Sequence, residues 1–171
     1  MRPDKNTYYL GIAKAVAMRG TCLRRIYGSV IVNNDQIVGT GYCGSPRGEK
    51  NCCDIGVCKR EELNVPHGER YELCCSVHSE QNAIMNAGRE RCIGASLYIA
   101  GIDVKSGEVT DISSPCEMCM RMIKNSGISE VYLLLTDGYM RITDDPHDTM
   151  CKLSYMDRFD DMGSVRVLDN I

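Results

Sequence analysis

Two short groups of residues in this chain have the types and the spacing of a metal site. Cys116 and Cys119 lie three positions apart, directly after Pro115, at the start of a predicted helix. Free N–H groups and the helix dipole favour thiolates at that position. His78, at the start of another predicted helix, adds an imidazole. Two thiolates and one imidazole fill three of the four tetrahedral positions of Zn²⁺ and leave one for water. We therefore predict that His78, Cys116 and Cys119 bind a catalytic zinc.

Glu80 is the candidate proton carrier of this site. It follows His78 by two residues, so its carboxylate can reach water at the open zinc position and act as a general acid and base. The combined pattern H-x-E…P-C-x-x-C is the signature of zinc deaminases. A lone C-x-x-C would say less, because redox pairs and structural zinc sites share it. A purely structural zinc would need no proton carrier and would prefer a fourth protein ligand.

The elements that must position these residues alternate between strand and helix. The patterns predict a hairpin followed by strands and helices, which favours an α/β fold, a three-layer α/β/α sandwich around a mixed sheet. No repeat or linker divides the chain, so we expect a single domain over residues 1–171 with a cysteine-rich insertion at about 43–75. The predicted helices are 8–19, 79–87, 116–125 and 146–159, and the predicted strands are 29–32, 36–39, 96–100, 130–135 and 165–168.

Composition restricts the class of protein. The chain has 171 residues and a net charge of −3, which argues against nucleic acid as the main substrate. The N-terminus has no apolar signal-peptide core, and no later stretch is long and apolar enough to span a membrane, so we expect a soluble protein in a reducing cytoplasm. In that compartment the 11 cysteines favour metal binding or catalysis over cross-links.

Five separated blocks of the sequence resemble the deoxycytidylate deaminase group of the cytidine deaminase-like superfamily. The resemblance covers roughly residues 8 to 135 and implies a five-stranded sheet covered by helices, usually in a homo-oligomer. It implies the same roles for His78, Cys116, Cys119 and Glu80. The expected reaction is hydrolysis of dCMP to dUMP and ammonia, in which zinc-activated hydroxide attacks C4 of the base and Glu80 shuttles the proton. The blocks are Thr21–Arg25, Tyr27–Val32, Gly41–Gly48, His78–Ile84 and Pro115–Cys119.

The resemblance also implies a use for the other cysteines, because some members of the group carry a second, structural zinc. Such a site could hold an otherwise irregular insertion in place. The alternative is that these are small, buried, reduced cysteines. The matching positions are Cys22, Cys52, Cys58 and Cys74, with His67 or Cys53 as substitutes.

The substrate-binding residues depart from the pattern of this group. The group usually has Asn at the position of Cys43, where it hydrogen-bonds the nucleoside. The aromatic residue that stacks on the base would fall near Thr136, and the nearest aromatic is Tyr139. Residues 103–110 are an additional segment relative to the group, and we predict that they form a hairpin close to the pocket or to a subunit interface. The candidate phosphate ligands are Arg24, Arg25 and Arg47, because arginine forks suit a phosphate.

Three alternatives remain open from the sequence. The same chemistry could act on another aminated base, a nucleoside or a non-nucleotide ring. The chain could be a non-catalytic binding or regulatory module stabilised by zinc. It could also be a thiol-disulfide oxidoreductase that uses Cys116 and Cys119, which tightly bound zinc would exclude.

Overall fold

One mixed sheet of seven strands runs through the described part of the protein. The computed structural model describes residues 2–66, 69–144, 152–160 and 165–166. The strand order is β2-β1-β3-β4-β5-β6-β7, and within the described residues β3 and β4 form the one parallel pair. The strands are β1 (Arg25–Asn33), β2 (Gln36–Tyr42), β3 (Ser96–Asp103), β4 (Glu130–Leu135), β5 (Gly138–Thr143), β6 (Tyr155–Phe159) and β7 (Val165–Arg166).

Helices cover both faces of this sheet, as the three-layer prediction requires. Because side chains alternate along a strand, Val30 and Val32 face α1 while Ile31 between them faces the α4 and α6 layer. In the described residues of the cysteine-rich insertion there are two short helices and one 3₁₀ turn, Tyr71–Leu73. The helices are α1 (Lys5–Ala17), α2 (Cys52–Ile55), α3 (Lys59–Glu62), α4 (Ser79–Ala87), α5 (Arg89–Cys92) and α6 (Glu117–Ser126).

The sheet is wider than the five strands that the resemblance implied. Strand β5 returns antiparallel to β4 through a tight turn, and β6 and β7 extend the sheet by further antiparallel pairing. The predicted helix over 146–159 is therefore wrong for 155–159, which form β6, and residues 145–151 lie outside the described part. The predicted strand 165–168 is confirmed at Val165–Arg166, and 167–168 lie outside the described residues. Cross-strand pairing, including the ion pair between Arg141 and Asp157, overrides the helical spacing of the C-terminal sequence.

Glycine at two positions of β2 lets α4 lie directly against the sheet. A Cβ atom added at Gly41 would lie 2.8 Å from the carbonyl carbon of Asn82 and closer still to Ser79 O and Ala83 N. A Cβ atom at Gly39 would lie 2.7 Å from Ala83 O. Any larger residue would push α4 away from β2, so these glycines set the height of the helix above the sheet.

The described helices are all too short or too polar to cross a bilayer.

Candidate active site

Both parts of the predicted zinc motif lie where a helix begins. His78 is the N-cap of α4, and its backbone N–H donates to Gln81 Oε1 over 3.0 Å, which closes a capping box. The residue before it, Val77, pairs with Gly44 in an isolated antiparallel bridge, so the entry to α4 is tied to the end of β2. Cys116 is the N-cap of α6, and Cys119 lies on the first turn of that helix. The predicted start of each helix is confirmed to within one residue.

The three predicted ligands meet in space. His78 Nδ1 lies 3.5 Å from Cys116 Sγ and 3.3 Å from Cys119 Sγ. Bonds of about 2.0 to 2.3 Å from a tetrahedral zinc would place nitrogen and sulfur donors about 3.6 Å apart, so the cluster fits this metal. Among the described residues, this is the one group of three or more His, Cys, Asp or Glu side chains whose ligand atoms lie within 4.8 Å of one another.

Hydrogen bonds within the cluster divide its protons unequally. The hydrogen bond from the Cys119 thiol, together with the one to His78, lowers the pKa of Cys116 to about 4 against the opposing effect of burial. Because the Cys119 proton is held by the Cys116 thiolate, the pKa of Cys119 lies above its usual range, and burial adds to this. The hydrogen bond with Cys116 also raises the pKa of His78. A cation that binds all three must displace these protons, as is usual for zinc sites.

The carboxylate of Glu80 is buried beside the cluster and held by a chain of hydroxyl groups. Glu80 is 7% exposed, and its Oε2 accepts a hydrogen bond from Ser79 Oγ over 3.0 Å. Ser79 Oγ lies 2.8 Å from Ser29 Oγ on the neighbouring strand β1, and both serines are fully buried. This chain fixes one oxygen of the carboxylate. The sequence motifs did not predict it, because Ser29 and Ser79 are 50 residues apart.

A cavity of about 220 Å³ lies next to these groups. His78, Glu80 and Cys116 are on its wall, together with Asp111 and the residues after it. The cysteine-rich insertion contributes Arg60, Tyr71 and Cys74 to the same cavity. The site is therefore a pocket for one small molecule, with the metal cluster and the carboxylate on one wall.

Three of the five predicted substrate residues line this cavity, namely Arg24, Arg25 and Cys43. The thiol of Cys43 is already occupied, because it accepts the backbone N–H of Tyr27 over 3.2 Å and lies 4.0 Å from the carbonyl oxygen of Arg25. Burial raises the pKa of Cys43 to about 11, so the thiol is neutral near pH 7.

Arg47 and Tyr139 are not at the site, which corrects two predictions. Arg47 is exposed on the loop after β2 and does not line the cavity. Tyr139 is buried on the α1 side of the sheet, where Phe159 stacks on it with ring centroids 4.9 Å apart. Strand β5 begins one residue earlier than Tyr139, and its pleat turns this side chain away from the catalytic face. Thr136 donates its N–H to Asp111 over 2.8 Å, so a polar clamp occupies the expected stacking position.

The structure does not gather the predicted ligands of a second zinc. Cys22, Cys52, Cys58 and Cys74 form no group with ligand atoms within 4.8 Å in the described residues. Cys52 instead approaches Cys75, with sulfur atoms 3.6 Å apart, and burial raises the pKa of Cys52 to about 12. Cys53 is exposed and lies 3.8 Å from Asp54, and His67 lies outside the described residues. The added segment 103–110 forms the predicted hairpin, closed by a bridge between Ile102 and Val109.

Comparison with known proteins decides the family. The model of the cytidine and deoxycytidylate deaminase zinc-binding region matches residues 3–135. The chain belongs to the cytidine and deoxycytidylate deaminase family. This membership confirms the resemblance, the metal and the predicted class of enzyme, a zinc-dependent hydrolytic deaminase.

Individual members of this deaminase family are similar over the same region. A deoxycytidylate deaminase of Mycobacterium phage D29 is 37% identical over 76% of this chain and 94% of its own length. A deoxycytidylate deaminase of Schizosaccharomyces pombe is 32% identical over 76% of this chain but only 37% of its own length. The dCMP deaminase of cyanophage S-TIM5, solved with dCMP and dUMP, has a TM-score of 0.54 and 25% identity and covers 78% of this chain and 82% of its own. The deaminase-like fold is thus confirmed.

Proposed function

We propose that this chain hydrolyses dCMP to dUMP and ammonia. The observation that carries the proposal is a buried carboxylate, Glu80, beside a His-Cys-Cys cluster that fits zinc, both on the wall of one cavity. The D29 and fission yeast relatives are named deoxycytidylate deaminases, and the S-TIM5 protein is a dCMP deaminase bound to dCMP and dUMP. These relatives support a deoxycytidine nucleotide as the substrate.

The metal would be held by His78, Cys116 and Cys119, which supply one nitrogen and two sulfur donors. When bound, Zn²⁺ supplies Lewis acidity, which makes water a competent nucleophile near neutral pH. Cys119 is fully buried and Cys116 is half-buried, so the cluster has one side closed by protein and one side open to the cavity.

Glu80 would move the protons of the reaction. Hydrolysis adds water across C4 of the base and expels ammonia, so one proton must pass from water to the ring nitrogen and another to the leaving amine. The carboxylate of Glu80 can accept the first proton and release it again on the same side of the base. Its bond with Ser79 keeps Oε2 in place, and so limits the carboxylate to the orientations that face the cavity.

An ammonia-release assay of the zinc-loaded protein tests the proposal. We expect dCMP to be turned over and Glu80→Gln to lower kcat by about 10²- to 10⁴-fold, the usual contribution of a general acid and base. Zinc content should stay unchanged, because Glu80 is not a ligand. Glu117→Gln is the matched control: this carboxylate lies beside Cys116, but it is 92% exposed and pairs with Arg121 on the surface. Normal turnover by Glu80→Gln would refute the role of Glu80.

The same assay separates the alternative substrates. The panel contains dCMP, deoxycytidine, CMP, cytosine and an aminopurine nucleotide, because the thiol of Cys43 is committed to backbone atoms and does not by itself select a nucleoside. Turnover of another member with dCMP inert would move the proposal to that substrate. A zinc-loaded protein that releases ammonia from no member would favour the binding or regulatory module.

We also propose that the chain forms one domain and assembles into a homo-oligomer. The single sheet, with helices on both faces, supports one domain, and a single cooperative unfolding transition would test it. Met85 on α4 and Met118 on α6 are 63% and 46% exposed, which supports a subunit contact on this helix layer. Sedimentation equilibrium measures the number of subunits in the assembly.

Elemental analysis measures the number of zinc ions per chain. One ion per chain agrees with the single cluster, and two would restore the second site in the insertion.

A further inference from the structure

A buried arginine of the cysteine-rich insertion reaches the cavity and has no role in the chemistry described so far. Arg60 lies on α3, the short helix Lys59–Glu62, and is 8% exposed although it is charged. It lines the same cavity as His78 and Glu80. Arginine is almost never buried to this extent unless it is paired, so its environment requires an explanation.

Backbone and aromatic contacts hold the guanidinium of Arg60 in one place. Its Nη2 donates to the carbonyl oxygens of Pro66, over 3.0 Å, and Glu69. The guanidinium carbon lies 4.7 Å from the centroid of the Tyr71 ring, a cation–π contact. These contacts immobilise the side chain before any ligand arrives, which lowers the entropy cost of binding one.

The positive charge of Arg60 has no counter-ion among the described residues. No carboxylate oxygen of the described chain lies within 4.0 Å of its nitrogens, and nothing there accepts a hydrogen bond from its buried Nε. Two acids of the insertion pair with other arginines: Glu61 pairs with Arg24 over 3.2 Å, and Glu72, which the charge of Arg60 reaches only at longer range, pairs with Arg70 over 3.0 Å. A buried cation without an anion is unfavourable, and an anion that enters the cavity would relieve this cost.

The place of Arg60 relative to the metal cluster suits a nucleotide. Tyr71 contacts both groups: the guanidinium carbon of Arg60 lies 4.7 Å from the centroid of its ring, and the ring of His78 meets it edge-on with centroids 5.3 Å apart. The cation and the metal ligand are therefore two distinct points on the wall of one cavity, each in contact with Tyr71. In a nucleoside monophosphate, a sugar likewise separates the reacting base from the phosphate.

We propose that Arg60 binds the 5′-phosphate of the substrate and makes the enzyme prefer the nucleotide over the nucleoside. This inference rests on the proposed deamination of dCMP. Arg24 is a weaker candidate, because Glu61 already neutralises it. The phosphate contact would thus come from the insertion, while the metal cluster comes from the helix starts of the sheet.

Paired substrates that differ only in the phosphate test this role. We expect Arg60→Gln to lower kcat/KM for dCMP by about 10- to 100-fold, the effect of one lost charge-assisted contact, and to change kcat/KM for deoxycytidine less than about 2-fold. Arg60→Lys, which keeps the charge without the fork, should fall between them. The control Arg70→Gln removes an arginine from the same insertion that is 61% exposed and does not line the cavity, and it should leave both substrates unchanged.

Two results would overturn the role of Arg60. An equal loss for dCMP and deoxycytidine in Arg60→Gln and Arg60→Lys would show that Arg60 only supports the insertion, and an unchanged preference for dCMP would show that the phosphate lies elsewhere. Calorimetric titration with deoxyribose 5-phosphate keeps this test independent of turnover. If the wild-type protein deaminates neither substrate, the proposed function fails. Binding of this probe that weakens in Arg60→Gln still supports the phosphate site, and equal binding refutes it.

Discussion

Replacing Gly41 by alanine should separate the role of α4 as a structural element from its role as the carrier of the active site. Gly41 lies on β2 under the first turns of α4, where the backbone of Ser79, Asn82 and Ala83 leaves no room for a Cβ atom. Ordinary contact needs 3.4 to 4 Å, so the helix must rise by about 1 Å to accept the methyl group. His78 and Glu80 move with it, because they begin the same helix.

The size of the effect follows from this displacement. Overpacking of this kind lowers the free energy of unfolding by about 1 to 3 kcal/mol. A misplacement of about 1 Å at a catalytic group lowers kcat by about 10²-fold, which is a larger relative loss than the change in stability alone would cause in a folded protein. We therefore expect Gly41→Ala to remain folded at 25 °C and to be strongly impaired in turnover.

Urea unfolding and ammonia release measure the two effects on the same zinc-loaded samples. The matched control is Gly11→Ala on α1, where an added Cβ atom meets nothing within 4 Å and the position is exposed. That variant should gain about 0.5 to 1 kcal/mol from helix propensity and keep its full kcat. If Gly41→Ala has the stability and the kcat of the wild type, the close approach of α4 to β2 does not position the site. If stability falls while kcat is retained, α4 relaxes without moving Glu80, and the link between packing and catalysis is wrong.

Two further predictions concern buried groups around the site. In the pair Ser29 and Ser79, Ser79→Ala leaves the buried hydroxyl of Ser29 without its acceptor and should cost about 1 to 3 kcal/mol, whereas Ser29→Ala leaves Ser79 bonded to Glu80 and should cost less. The double variant should lose less than the sum of the two, and additive losses in a urea double-mutant cycle would contradict the hydrogen bond. For Cys43, burial raises the folded pKa to about 11, above the unfolded value of about 9, so its stabilising contribution is complete below about pH 9 and is lost as the pH rises toward 11. Cys43→Ala should therefore lose less stability than the wild type between pH 8 and pH 10.5, and parallel pH profiles of the two proteins would refute this.

The sequence predicts the bounds of an element correctly where local residues mark its ends, as a capping residue does for a helix or a continuous apolar run does for a buried strand. The predicted bounds of α4 and β4 are confirmed to the residue, because Ser79 follows an N-capping His78 and Glu130–Leu135 is a continuous apolar run. The strands predicted from sequence do not include β5, although Asp137-Gly138 comes one residue after a buried strand, which is typical of a hairpin turn. The residues 155–159 carry no local pattern that distinguishes a strand from a helix, because they form a strand only through pairing with β5.

The metal cluster could be predicted from sequence for the same physical reason. Its residues occur in two contiguous motifs, each at the start of a helix, and the parallel β3 and β4 place the two helix starts at the same edge of the sheet. Tyr139 failed as a stacking residue because the face of a strand depends on its register, and a shift by one residue inverts every side chain. Arg60 escaped prediction because burial of a charged side chain in an irregular insertion has no sequence pattern.

The chemistry and the substrate specificity of this site would come from different segments of the chain. The groups to which we assign the deamination chemistry lie on helix starts fixed by the sheet, within the region 3–135 that matches the family. Much of the remaining cavity wall comes from the insertion, through Arg60 and Tyr71, and from the segment around Asp111. Changes in these segments would alter the substrate without moving Glu80, because the hydrogen bonds that hold its carboxylate come from Ser79 and Ser29, which belong to neither segment. Variants at Arg60 should thus change the preference between nucleotide and nucleoside, whereas Gly41→Ala should lower the turnover of every substrate by the same factor.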